Sequence, residues 1–142
     1  MSFMRFNCLM IMILVTLTTA AQPKKRPPFS PAKFEAELEQ FIASDACLTP
    51  TESAKFFPIY RQMMKKQRML FDEMRRFRHV DPKDNAACAD AIRRQDEVDI
   101  QIKQLQQEYH ARFMLVLPAC KALAVIKAEE KFHRQMFRKF KP

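Results

Sequence analysis

"LTPTESAKFFPIYRQMMKKQRMLFDEMRRF", Leu48 to Phe77, opens with the marks of a helix start and then holds helical spacing to its end. Thr49 reads as an N-cap, Pro50 takes the first helical position, where a missing N–H does no harm, and Glu52 completes a capping box. Apolar residues then recur at steps of four and three: Phe56, Tyr60, Met63, Leu70, Met74 and Phe77, with Gln67 as the polar member. Pro58 interrupts the pattern. It has no N–H for the Ala54 carbonyl and predicts a bend, with the first turns directed toward shorter helices and the segment from Ile59 onward forming a curved arm.

A second seam follows at the same spacing, through Ala91, Gln95, Val98, Ile102, Leu105 and Tyr109. Asp81 and Pro82 mark its start and Leu117, before Pro118, its end. The short connection "HVDP" makes the two helices antiparallel neighbours, so the spacing predicts an all-α fold built on a long hairpin, about 49–78 and 82–117. Folding about that turn sets Gln67 beside Gln95, either as a polar layer that fixes register or as two partly exposed side chains. Ser30 and Pro31 start a short first helix with Phe34, Leu38, Phe41 and Ile42 on one face, ending near Asp45. Pro118 opens a last helix to about Phe140. The chain contains no glycine, which leaves it poorly equipped for tight β-turns.

Residues 1–21 have the layout of a cleaved secretory signal: Arg5, an apolar run from Phe6 to Leu17, then small residues ending at Ala21. A retained signal-anchor is the competing reading, disfavoured by the shortness of the run. Residues 22–30 form a basic, proline-rich arm, and 31–142 a single helical domain. The formal charge of the whole chain is +9. Such a charge suits nucleic acid, anionic lipid or acidic polypeptide. Export, and the lack of any zinc-finger, helix-turn-helix or RNA-binding sheet signature, argue against nucleic acid.

A hairpin of this length covers only one side of each helix. Phe57, Met64 and Phe71 form a second row beside the seam, and Met69 and Ile100 also fall off it. The first and last helices, the latter through Leu123, Ile126, Phe137 and Phe140, cover part of this surface; a dimer or a bound polypeptide would cover the rest. Ordinary core is one reading of the methionine and phenylalanine rows. The other is an adaptable binding surface of Arg61, Met64, Lys65, Arg68, Met69, Phe71 and Arg75, where polarizable side chains lie among positive charges.

Cys47 precedes the second helix and Cys120 follows the third, so both fall at the open end, while Cys88 lies near the turn. Cys47 with Cys120 is the intrachain pairing this topology permits, and it would contribute roughly 4 kcal/mol; two free buried thiols are the alternative. His110 could approach Cys47 and Cys120 at that end as metal ligands, but no histidine pair has the i, i+4 spacing of a helical zinc site. No nucleophilic triad or glycine-rich phosphate loop is present, and "QDEVD" at Gln95 to Asp99 reads as a solvated face. The expectation is a protein that is not an enzyme, with no cofactor and no metal.

With an export signal, a short helix, a long hairpin, a final helix and an "LTxx" start, the chain resembles the Spy/CpxP family of periplasmic proteins defined by LTxxQ motifs. "LTPTE" carries the first motif through Leu48 and Thr49, with Glu52 in place of glutamine; "LPACK" stands where the second belongs and keeps only its leucine, Leu117. The resemblance implies an ATP-independent periplasmic chaperone, a cradle-shaped homodimer that holds unfolded polypeptides on a basic surface with apolar patches. It also allows two alternatives: a regulatory partner of a membrane stress sensor, or a zinc-binding periplasmic protein. No stable membrane insertion is expected after signal cleavage.

Overall fold

A computed structural model describes residues 30–140 of the chain, so the expected signal and nearly all of the basic arm lie outside the described residues. Four helices follow in order: α1 (Pro31–Asp45), α2 (Pro50–Arg76), α3 (Asn85–Val116) and α4 (Ala119–Phe140). The fold is all-α, a helical hairpin of α2 and α3 flanked by a short helix and a final one. Ser30 caps α1 by accepting from the Lys33 N–H, and the capping box at Thr49 and Glu52 forms in both directions.

Helix α1 ends in a Schellman turn. The Leu48 N–H reaches back to the Ala43 carbonyl at 2.9 Å and the Cys47 N–H to Ser44 at 3.2 Å, which requires the residue between helix and exit to be left-handed. With no glycine to use, the chain puts Cys47 there at φ 50°. Leu48 then turns inward onto the core, so this strained residue sets the entry to α2.

The third helix starts later than the sequence suggests. Asp81 accepts from the Lys83 N–H instead of opening a helix, and Asp84 is the N-cap, accepting from Ala87. The connection therefore runs on to Asp84, and Cys88 Sγ meets the Asp81 carbonyl at 3.5 Å. This longer return moves the register. Gln67 shares a groove with Gln106, about three helical turns beyond Gln95, and Lys66 stands over the Tyr109 ring at 5.3 Å. A slip of three turns keeps the same face of α3 inward, so the seam survives and extends through Tyr109 and Phe113 to Leu117. Gln95 is exposed, and the expected Gln67–Gln95 layer does not exist.

One aromatic core joins all four helices. Phe56 packs edge-on against Phe113 at 4.8 Å and stacks with Tyr60 at 5.5 Å; on the other side Phe132 of α4 meets Phe34 at 5.4 Å and Phe41 at 5.5 Å. Helix α4 buries Ala122, Val125, Ala128 and Phe132, and its small residues allow close approach. Leu123 and Phe137, expected to cover the second row of α2, are exposed instead, and Ile126 is only partly buried. Pro58 lies inside an unbroken α2. Burial continues past it through Tyr60 to Met63, so the packed base does not end at Pro58 as the sequence reading placed it. Further along, Phe71 is 44% and Met69 65% exposed, and the buried residues of α2 end at Met63.

Because Cys47 pays a left-handed backbone penalty, Cys47→Gly is expected to raise stability by about 1 kcal/mol. Denaturation under reducing and non-reducing conditions should show the same gain. A loss confined to non-reducing conditions would show that a disulfide from Cys47 matters after all.

Candidate functional site

Six of the seven surface residues singled out in the sequence line one face of the molecule. Arg61, Met64, Lys65 and Arg68 line a groove of about 310 Å³ between α1 and α2, floored by Leu38 and Tyr60. Met64, Arg68, Phe71 and Arg75 line its continuation of about 420 Å³, closed at the far end by Pro31 and Phe34. Met69 is separated from them: it faces a shallow hollow on the other side of the hairpin, with Leu70 and Leu105. A third groove of about 490 Å³ joins α2 to α3 and α4 and shares Met64, Gln67 and Phe71 with the others.

The opposite wall is the part that sequence inspection missed. Glu39 takes Arg61 in a two-point bond, Nε to Oε1 at 2.7 Å and Nη2 to Oε2 at 2.6 Å, and Glu35 pairs with Arg68. Glu35 and Glu39 are one helical turn apart and Arg61 and Arg68 are two, so the spacings do not match; the sequence placed α1 only as one of two helices that could cover this side of α2, without these pairings. Lys65, between the two arginines, has no ion-pair partner among the described residues, and Arg75 pairs locally with Asp72.

Two buried polar atoms face these grooves without a hydrogen-bond partner among the described residues, Tyr60 Oη and Gln67 Oε1. Burial, followed by the Glu129 carboxylate, drives the Tyr60 pKa far above the ordinary tyrosine value, so its hydroxyl keeps its proton. Glu129, on α4, is the carboxylate that acts on it most strongly. In the third groove Glu129 also lies 3.8 Å from His133, and burial lowers the pKa of His110, leaving that imidazole neutral at neutral pH.

At the open end, Cys47 and Cys120 are free and exposed, and no disulfide joins them. Lys121 takes the inward place: its Nζ donates to the Cys47 carbonyl at 3.1 Å and to Glu52. Cys120, one residue earlier, is rotated about 100° away on the helix. The expected bond is replaced by an ion pair. It joins the last residues of the two motif-like stretches, Glu52 of "LTPTE" and Lys121 of "LPACK". Leu117 is buried beneath it and Thr49 caps beside it. Cys88 is partly buried near the turn.

Among the described residues no group of three or more His, Cys, Asp or Glu side chains is placed to hold a metal, so His110, Cys47 and Cys120 do not converge. None of the described helices is long and apolar enough to cross a membrane. The chain matches no family model, no curated protein and no solved structure.

The Lys121 contact, then the Thr49 N–H, hold the Glu52 pKa below its ordinary 4.5. A lowered carboxylate pKa adds stability above the unfolded-state value, and that stability is lost as pH falls through the folded-state value. Glu52→Gln is therefore expected to lower Tm at neutral pH by a few degrees, with the gap from wild type closing below about pH 4. In a double-mutant cycle, Glu52→Gln with Lys121→Gln should cost less than the two single changes added together. Thermal melts across pH check both; a gap unchanged at acid pH would count against the ion pair.

Proposed function

We propose that this chain is an exported, ATP-independent chaperone-like protein that holds non-native polypeptides on the groove face of α2. The observation that carries the reading is the convergence of Arg61, Met64, Lys65, Arg68, Phe71 and Arg75 along one continuous set of grooves beside a helix with free apolar surface. Cations supply long-range attraction to a chain with exposed carboxylates, and flexible methionine and aromatic side chains adapt to varied apolar segments. Neither step needs nucleotide. The resemblance of "LTPTE" and the helix order to Spy/CpxP proteins supports the same reading and the periplasm as its location.

Apolar surface remains on other faces, at Ile92, Ile100, Met114, Leu115 and Phe137. A second copy of the chain covering part of it, in a homodimer, is included in the proposal. Its size would show in the sedimentation of purified protein.

The two stages make separable predictions. At stoichiometric amounts and without nucleotide, the protein is expected to slow aggregation of several unrelated unfolded proteins. Lys65→Glu with Arg75→Glu should slow capture and make it less salt-dependent, whereas Met64→Ser with Phe71→Ser should leave capture rate nearly unchanged and speed release by about tenfold. Stopped-flow binding of a labelled unfolded client separates the two rates. No effect of the wild-type protein on any client would remove the proposal's basis.

A further inference from the structure

Helix α1 is net acidic, and α2, like α4, is net basic. Residues Glu35, Glu37, Glu39 and Asp45 stand against a single Lys33 in α1, while α2 carries Lys55, Arg61, Lys65, Lys66, Arg68, Arg75 and Arg76 against Glu52, Asp72 and Glu73. Yet the α1 backbone does not run along α2 as it runs along α4. Its buried side chains Leu38 and Ile42 belong to the shared core, its backbone runs against α4, and no comparable backbone approach joins it to α2. Between α1 and α2 there is instead an open groove, spanned by Arg61–Glu39 and Arg68–Glu35.

The groove also contains an unmet hydrogen-bonding group. Tyr60 is only 3% exposed, lines the floor, holds its proton, and has no hydrogen-bond partner among the described residues. The unpartnered Gln67 Oε1 lies at the next groove. Both atoms are screened from solvent, so the occupant is selected by the charged side chains along the groove, Arg61, Lys65 and Arg68, and the polypeptide-binding reading supplies its class.

We infer that the α1–α2 groove is a docking site for an acidic polypeptide segment, gated in cis by Glu35 and Glu39, whose carboxylates the incoming segment replaces on Arg68 and Arg61. The inference rests on the polypeptide-binding reading above and specifies its substrate class and its control. In both pairs the arginine is well exposed, 62% for Arg61 and 56% for Arg68, while Glu35 is 48% and Glu39 21% exposed. Such pairs exchange partners at little cost, since solvent screens them in either arrangement. Lys65, unpaired between the two arginines, favours a net negative occupant. Releasing the two glutamates leaves Leu38 and Ile42 in the core, so the gate opens without unfolding α1.

The test uses the full described domain with its arm and a labelled, leucine-faced helical peptide carrying glutamates at i, i+4, beside a twin with glutamines at those places. Fluorescence anisotropy at low salt is expected to show the glutamate peptide binding Glu35→Gln/Glu39→Gln about tenfold more tightly than wild type, and Arg61→Gln/Arg68→Gln about tenfold more weakly. The glutamine twin should distinguish none of the three forms. Circular dichroism and Tm establish that each variant is folded, and the single changes Glu35→Gln and Arg68→Gln repeat the comparison if a double variant is not. Equal affinity of the glutamate peptide for all forms overturns the gate. If wild type still suppresses aggregation in that case, the chaperone reading survives and only this inference fails; no peptide binding together with no suppression removes both.

Discussion

The contact between Phe56 and Phe113 is the point on which the rest of the molecule depends. It joins the two arms of the hairpin at its base, and Tyr60, Phe57 and Leu117 fill in around it. Helices α1 and α4 add to the same core through Leu38, Ile42, Val125 and Phe132. Past Met63 on α2 this four-helix packing gives way to a two-helix seam, where Leu70, Met74 and Phe77 are only partly buried. Local stability follows buried contact, so the far part of the hairpin is expected to open more readily than the base. A rigid base carrying a looser arm positions a binding surface without fixing its shape.

The position of α1 follows from that core. Its apolar face has one place to go, onto α4, where Phe132 receives both Phe34 and Phe41. Lys131 reinforces the placement by pairing with Asp45 and lying 5.7 Å from the Phe41 ring. Once α1 is held there, its glutamates are directed at α2 across a gap that side chains can bridge and backbone does not. The groove is thus a product of packing elsewhere: two helices share a neighbour and are left apart from each other.

Helix existence and order were readable in the sequence because caps and periodicity are local. Ser30, the Thr49–Glu52 box and the seam from Phe56 to Phe77 each depend on residues within a few turns, and each was found as read. Register was not local. It depended on whether Asp81 began a helix or closed a turn, and the side-chain bond to the Lys83 N–H decided for the turn. The same limit affected the groove. Arg61, Met64, Lys65, Arg68, Phe71 and Arg75 were identifiable on one helix, but their partners on α1 required knowing that α1 rests on α4. Met69 was misgrouped because a charge-and-methionine pattern does not distinguish the two sides of a hairpin.

The open end is held by one ion pair between two helix starts. Glu52 stands at the start of α2 and Lys121 at the start of α4, far apart in the sequence. Together they are charge-complementary, and they meet. Glu52 still caps α2 through the Thr49 N–H while it accepts from Lys121, and Lys121 also holds the carbonyl of the left-handed Cys47. One lysine therefore ties the end of α1, the start of α2 and the start of α4. A neutral amide at either position could bond its neighbours, but it would lack the long-range attraction that holds three chain segments together where no disulfide does.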